Sequence, residues 1–338
     1  MSKPVPFTEI WRGEFLESVH NGHAVVMDSS GDVVASWGNA DAVILPRSSC
    51  KMLQALPLIE TGAAREYGLT SEHLALACAS HQGAPEHTDR VTAWLSGLGF
   101  GEDDLRCGPQ PPGDMATRHA MIKTDGSPCQ IHNNCSGKHS GFLTLSKFLK
   151  AGPEYVDLDH PVQKRVREAF EDMTDMPSPG FGIDGCSAPN FATTVTGLAR
   201  SMAKMSDPER LGGVRGDAAR QLNDAMRRHP SLVAGTTRAC TELMQAMAGK
   251  TVVKTGAEGV FVAILPDQKI GVALKIIDGT TRASESAMAA ILVRLGVLDA
   301  KHPSAIKRLN PRILNRRKLD TGGMKPAAML YDGGKLLI

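Results

Sequence analysis

The chain has 338 residues, of which 42% are hydrophobic and 22% are charged, and its formal net charge is +2. This composition is typical of a globular protein, and the near balance of charge gives no reason to expect nucleic acid or an anionic membrane as a partner. No apolar run reaches the length of a membrane span, and the N-terminal residues lack the apolar core of a signal peptide. We therefore expect a cytoplasmic protein.

The predicted elements fall into three blocks along the chain. Strand-like runs separated by turn residues occupy 14–37, helical periodicity dominates 48–249, and strands return over 251–277 before a last helix. The simplest topology for this order is α/β (α+β): an antiparallel sheet built from both chain ends, with flanking helices and an inserted all-α domain. It predicts a sheet domain of residues 1–47 and 250–338 and a mainly helical domain of residues 48–249. Residues 310–338 show no pattern that assigns them an element.

A serine three residues before a lysine opens the first predicted helix. Ser48 and Lys51 would lie on one helical face, where the lysine amine can act as base for the serine hydroxyl, as in serine acyl-transfer enzymes. The same S-x-x-K pattern recurs at Ser201–Lys204 and Ser304–Lys307. The pattern alone therefore does not single out Ser48.

A K-T-G tripeptide, Lys254-Thr255-Gly256, ends a predicted strand just before another, and it occurs once in the chain. An S-x-x-K followed by K-T-G is the order found in serine β-lactamases and penicillin-binding proteins, where K-T-G edges the site. A chance K-T-G in a hairpin is common. The two motifs together support a catalytic site as well as they support a chance match.

Two further segments gather reactive side chains. Asn133–Ser140 contains Gly137-Lys138, but a phosphate-binding G-x-x-x-x-G-K-[ST] loop would need its first glycine at His132 and its Ser or Thr at His139, so we reject that motif. The segment is either a polar helix N-terminus or a site into which Cys135 and Lys138, one helical turn apart, both point. Asp184 and Cys186 lie on a glycine-flanked loop, a setting that either presents functional side chains or forms a tight turn.

Five blocks of the sequence together resemble the rhizobial-type L-asparaginases, the asparaginase II family, which is unrelated to the threonine-nucleophile bacterial enzymes. The blocks are Pro46-Arg47-Ser48-x-x-Lys51, Ala79-Ser80-His81-x-Gly83, Asn134-Cys135-Ser136-Gly137-Lys138-His139, Gly182-Ile183-Asp184-Gly185-Cys186 and Lys254-Thr255-Gly256-Ala257-Glu258-Gly259. The resemblance covers about residues 7–300. It implies a fold like that of serine β-lactamases and glutaminases, which agrees with the topology above.

The resemblance also implies the site residues. Two Ser–Lys pairs are implied, and they fall on Ser48 with Lys51 and on Ser80 with Lys254. A zinc ion is implied, with the ligands Cys135, Lys138 and Cys186. A lysine ligand must be neutral to donate its lone pair, so metal binding and loss of the lysine proton would be one event.

The reaction implied is hydrolysis of L-asparagine to L-aspartate and ammonia, with Ser48 or Ser80 as nucleophile and a homodimer as the assembly. We assign substrate binding to four residues: Arg47, His139, Asp184 and Glu258. A cation suits the substrate α-carboxylate, for which Arg47 is the candidate, and an acid suits its α-ammonium, for which Asp184 and Glu258 are candidates. The alternatives are a β-lactamase or penicillin-binding-type amidohydrolase, a glutaminase, and a non-catalytic protein that binds zinc or a small molecule.

Overall fold

The structure is a computed structural model that describes residues 3–332. Its strands are β1 (Val5–Arg12), β2 (Phe15–Asp28), β3 (Val33–Trp37), β4 (Val43–Ile44), β5 (Phe181–Ile183), β6 (Pro189–Phe191), β7 (Thr193–Thr194), β8 (Val252–Thr255), β9 (Val260–Leu265), β10 (Ile270–Ile276), β11 (Arg312–Leu314) and β12 (Asp320–Pro326).

The helices are α1 (Lys51–Glu60), α2 (Ala63–Glu66), α3 (Ser71–Ala77), α4 (Pro85–Gly97), α5 (Met115–Lys123), α6 (Ser136–Phe148), α7 (Pro161–Thr174), α8 (Val195–Ser206), α9 (Pro208–Leu211), α10 (Gly213–Arg228), α11 (Pro230–Ala234), α12 (Ala239–Ala246), α13 (Thr281–Arg294), α14 (Pro303–Leu309) and α15 (Ala328–Asp332). Short 3₁₀ turns lie at Arg47–Cys50, Glu102–Asp104, Gln130–His132 and Pro266–Gln268. The chain divides into two compact units. Unit 1 contains the described residues up to 49, 193–207 and those from 242 onward, and unit 2 contains residues 50–192 and 208–241.

An antiparallel sheet forms the body of unit 1. Its strand order is β11-β12-β1-β2-β10-β9-β8, and β3 also pairs with β2. Helix α8 packs on β2, β9 and β10, and helix α13 packs on β1, β9 and β10. Strands covered in this way bury the side chains of both faces, which explains why β9 is apolar at every position rather than alternating.

Helix α8 approaches the sheet most closely at Gly271 of β10. A methyl group at this position would overlap the backbone of α8 at Met202 and Ala203. The absence of a side chain therefore sets the spacing between the helix and the sheet. It also explains why residues 193–207, which the sequence assigned to the helical domain, belong to unit 1 instead.

Helices dominate unit 2, and α6 lies at its centre. Most residues of α6 are buried, although many are polar. The hydroxyls of Ser140 and Thr144 donate to the backbone carbonyls of Ser136 and Ser140, at 2.9 and 2.8 Å, so burial leaves neither hydroxyl unsatisfied. At the start of α6, Gly137 packs so closely on the Leu76 carbonyl of α3 that a side chain would collide with it. This contact fixes the end of α6 that carries the cysteine and lysine singled out above.

The predicted fold class is confirmed, because strands from both chain ends form one antiparallel sheet and the long segment between them is mainly helical. Unit 2 adds one short hairpin, β5–β6, to its helices. Strand β1 had not been predicted, and β2 is one continuous strand that includes residues 20–23.

Within 310–338, where no element could be assigned from sequence, residues up to 332 form β11, β12 and α15. The rest of that segment lies outside the described residues. None of the helices between residues 3 and 332 has both the length and the apolar character required to cross a membrane.

Replacing Gly271 by Ala should destabilise the protein, because the added methyl group must displace α8 from the sheet. Overpacking of this kind costs about 1–3 kcal/mol of unfolding free energy, which thermal or urea unfolding can measure. Gly97→Ala is the matched control, since Gly97 ends α4 with open space around its Cα and alanine favours helix there. Equal stability of Gly271→Ala and Gly97→Ala would show that the helix–sheet contact is not as tight as described.

Candidate functional site

The first group of predicted site residues lies in unit 2 and is organised around Lys51. This lysine is the first residue of α1, and its side chain is 1% exposed. Its Nζ lies 3.0 Å from the Ser80 hydroxyl and 3.1 Å from the Cys135 sulfur, and it also donates to the carbonyl of Ala79. One buried amine therefore contacts a serine and a cysteine, with all three side chains withdrawn from solvent.

Ser80 follows the C-terminal end of α3 in an extended segment. Its backbone N–H donates to the Val233 carbonyl at 2.8 Å, and the N–H of the next residue, His81, donates to the Asn134 carbonyl at 3.1 Å. These bonds hold the serine segment beside α11 on one side and beside the start of α6 on the other. The hydroxyl is consequently presented to Lys51 by a backbone that is fixed on both sides.

Cys135 immediately precedes α6. Its N–H donates to the side-chain oxygen of Asn133 at 2.8 Å, and the Asn133 amide donates to the carbonyls of Cys107 and Gly108, both at 2.9 Å. Asn133 therefore ties the helix start to the irregular segment before it. This local network explains why the polar stretch 133–140 begins a helix.

Lys138 and Cys186 form a second amine–sulfur pair. Their Nζ and Sγ atoms are 3.0 Å apart, and both side chains are buried. Cys186 lies on the loop between β5 and β6, where the backbone of Asp184 bonds to Ala188 and to Ser187 at 3.0 and 2.8 Å. Ser187 adopts a left-handed backbone with φ +68°, which sharpens the turn.

The pKa values of the two sulfurs shift in opposite directions. A hydrogen bond from Cys135 and the charge of Lys138 hold the pKa of Cys186 well below its usual range, despite burial. The same hydrogen bond, together with burial, raises the pKa of Cys135 well above its usual range. Burial lowers the pKa of Lys138, but the Cys186 and Cys135 sulfurs outweigh it, so its pKa is raised. The pKa shifts therefore favour the thiolate form of Cys186, the thiol form of Cys135 and the ammonium form of Lys138.

His139 is wholly buried behind this cluster. The Tyr155 hydroxyl accepts from the Arg106 N–H at 2.7 Å and lies 2.9 Å from His139 Nδ1, so the phenol proton is free to bond to that nitrogen. Burial lowers the pKa of His139, and the Cys186 sulfur partly offsets the effect. Its Nε2 is buried, and no hydrogen-bond partner for it lies within the part of the chain that the structure describes.

The donor set of this cluster suits a zinc ion. Two sulfurs and one amine nitrogen meet there, and thiolate and nitrogen ligands are those that zinc prefers. Between residues 3 and 332, no group of three or more His, Cys, Asp or Glu residues converges as a metal site. A set of Cys135, Lys138 and Cys186 contains only two such residues, so it depends on the lysine for its third ligand. Zinc at this set stays a prediction.

The second group lies in unit 1 and is organised around the K-T-G turn. A methyl group on Gly256 would lie 2.5 Å from the Pro46 carbonyl and 3.1 Å from the Ser49 nitrogen. The K-T-G turn therefore packs directly on the turn that carries Arg47 and Ser48. The structure brings together two motifs that are about 200 residues apart in sequence.

Strained backbone marks both predicted substrate-binding residues of this unit. Arg47 has φ +53° and Glu258 has φ +56°, the left-handed region that costs a residue with a side chain on the order of 1 kcal/mol. Lys254 is buried and donates to the Thr255 carbonyl at 2.8 Å, whereas Glu258 is exposed. Lys275 of β10 donates to the Glu258 carbonyl, and burial lowers the pKa of that lysine.

The contact made by Lys51 differs from the pairs that the resemblance implies. Its amine meets Ser80, whereas the implied pairs join Ser48 with Lys51 and Ser80 with Lys254; those pairs stay predictions. Sequence reasoning missed Lys275, which donates to the Glu258 carbonyl, and Tyr155, which contacts His139. Lys275 lies within an ordinary strand and Tyr155 within an irregular segment, so no local pattern could have identified either one.

Comparison with known proteins agrees with these motifs. The family model described as L-asparaginase II matches residues 8–326, which extends beyond the blocks recognised from sequence. A search of curated proteins gives no match.

Solved structures give distant likenesses. A β-lactamase from Mycobacterium bovis is 15% identical, with 80% of this chain and 94% of that chain covered and a TM-score of 0.43. An octameric penicillin-binding protein homologue from Pyrococcus abyssi is 12% identical, with 83% and 74% covered and a TM-score of 0.40. Because these identities and TM-scores are low, the assignment of the fold class rests on the sheet and helices described above. The family match spans nearly the whole chain, and we conclude that this protein belongs to the L-asparaginase II family.

Proposed function

We propose that the protein hydrolyses the side-chain amide of L-asparagine to L-aspartate and ammonia through a serine acyl-enzyme. The observation that carries the proposal is the buried contact of 3.0 Å between Lys51 Nζ and the Ser80 hydroxyl. Nucleophile and base within hydrogen-bond reach are the signature of an activated serine. Membership of the L-asparaginase II family supports the choice of substrate.

Lys51 would act as the general base when it is neutral. A neutral amine has two N–H groups and one lone pair, and two acceptors, the Ala79 carbonyl and the Cys135 sulfur, lie beside its nitrogen. Filling both with N–H donors leaves the lone pair for the Ser80 hydroxyl.

The proton transfers between Ser80, Lys51 and the substrate form a closed cycle. Ser80 Oγ attacks the amide carbon and gives its proton to Lys51 Nζ, which passes a proton to the leaving nitrogen, so that ammonia departs and an acyl-enzyme remains. Water attacks the ester carbon, Lys51 takes the water proton, and its return to Oγ restores the serine as aspartate leaves. A positioned base of this kind contributes typically ~10²–10⁴-fold to rate.

The residues of unit 1 have proposed roles of their own. Ser48 is the alternative nucleophile, and Lys254 is a second candidate base or donor. Arg47 is proposed to bind the α-carboxylate, while Glu258 and, from unit 2, Asp184 are proposed to bind the α-ammonium. The close packing of the K-T-G turn on the Arg47–Ser48 turn supports a shared role for those two motifs.

We further propose that Cys135, Lys138 and Cys186 hold zinc, with His139 beside them and also assigned to substrate binding. Bound zinc would supply an open coordination position that can orient a substrate atom or water. The residues themselves must give up protons to bind it, because a thiol and an ammonium are not ligands. A homodimer and a cytoplasmic location remain predictions.

Replacing Lys51 with Met should leave a folded protein that has lost asparagine hydrolysis, because methionine fills the same buried space without a base. We expect kcat to fall by at least ~10²-fold, measured as ammonia release. Lys147→Met is the control, since Lys147 also belongs to unit 2 but contacts Leu98 and Phe100 instead.

Ser80→Ala and Ser48→Ala identify the nucleophile. The inactive variant of the two marks the attacking serine, and its kcat should fall by a factor comparable to that of Lys51→Met. Full activity in the Ser48/Ser80 double variant would rule out a serine acyl-enzyme altogether.

Cys135→Ala and Cys186→Ala should each lose bound zinc, because each removes one of only three proposed ligands. Elemental analysis of the purified proteins measures the metal directly. Cys240→Ala should keep its zinc, since Cys240 is equally buried but belongs to α12. Unchanged zinc content in both ligand variants would remove these ligands from the proposal.

Ammonia release from asparagine should exceed that from glutamine, and a chromogenic β-lactam should not be hydrolysed. One additional methylene in the substrate changes binding by only about 1–3 kcal/mol, so some glutamine turnover is expected. Turnover of the β-lactam without ammonia release would instead favour a penicillin-binding-type enzyme, and zinc binding without any turnover would favour a binding protein.

A further inference from the structure

His81 follows Ser80 directly and is buried, but the mechanism above gives it no role. We propose that His81 is a positioning residue that holds the Ser80 hydroxyl against Lys51 through a hydrogen bond from its Nε2–H to Ser136. This inference rests on the proposed function, because it concerns the Ser80–Lys51 pair.

The hydrogen bonds of the ring determine its tautomer. The backbone N–H of Gly83 donates to His81 Nδ1 at 3.1 Å, so Nδ1 is the unprotonated nitrogen. A neutral ring then carries its proton on Nε2, which lies 2.9 Å from the Ser136 hydroxyl. That hydroxyl donates its own proton to the Ile131 carbonyl, also at 2.9 Å, and is left as an acceptor for the ring. Each proton in this series of hydrogen bonds, from the Gly83 N–H to the Ile131 carbonyl, is therefore assigned to one donor.

Burial keeps the ring neutral. It holds the pKa of His81 well below its usual range, and the nearby His87, Lys51 and His132 act in the same direction. The ring stacks on His87 with centroids 4.8 Å apart and planes 10° apart. His87 is anchored in turn to the Ser231 carbonyl through Nε2 at 3.0 Å. The imidazole is therefore restrained on its face as well as at both nitrogens.

The ring joins the same two segments that Lys51 joins. Lys51 contacts Ser80 and Cys135, and the next residue of each segment, His81 and Ser136, forms the second link. Between them, the His81 N–H donates to the Asn134 carbonyl at 3.1 Å. Without the imidazole bond, the backbone contact and Lys51 would remain as links between the serine segment and the start of α6.

The expected consequence is a loss in the chemical step rather than in substrate binding. A displacement of about 1 Å between reacting groups can cost roughly 10²-fold in rate. No contact of His81 described here involves a residue proposed to bind the substrate carboxylate or ammonium. Removal of the ring bond should therefore lower kcat and leave KM nearly unchanged.

The test compares four variants in the full-length protein by asparagine kinetics and thermal unfolding. His81→Phe keeps the ring volume but not the donor, His81→Gln keeps an N–H near the Nε2 position, and Ser136→Ala removes the acceptor. Ser140→Ala is the matched control, because Ser140 is as buried as Ser136 and bonds only within α6.

We expect His81→Phe and Ser136→Ala each to lower kcat by ~10–10²-fold with KM within about twofold, and the double variant to be no worse than either alone. His81→Gln should recover much of the loss, and Ser140→Ala should keep wild-type kcat. A purely structural role would instead lower stability without this pattern of rescue and non-additivity.

A second measurement does not depend on activity. In protein labelled with ¹⁵N-histidine, the His81 ring, identified by its absence in His81→Phe, should show a protonated Nε2 and an unprotonated Nδ1 at neutral pH. Protonation at Nδ1, or full kcat in both His81→Phe and Ser136→Ala, would overturn the inference. A wild-type protein that releases no ammonia would instead overturn the proposed function, while the tautomer would still test the hydrogen-bond chain.

Discussion

The site in unit 2 depends on one buried lysine amine that contacts several polar groups at once. Lys51 meets a carbonyl, a hydroxyl and a sulfur, and each comes from a segment that has its own backbone anchor. A buried amine without such partners would be strongly destabilising. The segments after α3 and before α6 are therefore drawn to the N-terminus of α1 by the same contacts that would serve catalysis. The contacts of Lys51 thus stabilise the fold here and also bring the proposed base and nucleophile together.

In the neighbouring cluster of Cys135, Lys138 and Cys186, the pKa shifts favour groups of opposite charge. The pKa of Cys186 is lowered, which favours its thiolate form, whereas the pKa values of Cys135 and Lys138 are raised, which favours the thiol and the ammonium. Opposite charges in contact reduce the cost of burying each one. This arrangement lets two cysteines, two lysines and a histidine be buried close together, provided that few of their polar atoms remain unsatisfied. The buried Nε2 of His139 has no hydrogen-bond partner among the described residues.

Much of the fold could be predicted because its signals are local. Alternating strands, a long helical block and a return to strands imply a sheet made from both chain ends, and the structure agrees. Strand β1 escaped prediction because Pro6 interrupts its pattern. The grouping of α8 with unit 1 could not be predicted from local signals, because one of its partner strands, β10, follows about 70 residues later. The S-x-x-K and K-T-G motifs could be found by spacing. The contact of Lys51 with Ser80 could not, because it joins elements whose relative placement depends on the whole packing of unit 2.

The packing of Gly256 changes how the K-T-G motif of this chain should be interpreted. Glycine is required there because the Pro46 carbonyl occupies the space of a side chain. A relative that had lost its nucleophile and all turnover would still need that glycine to fold. The glycine of the motif therefore indicates close backbone packing. A prediction of activity has to rest on the reactive side chains.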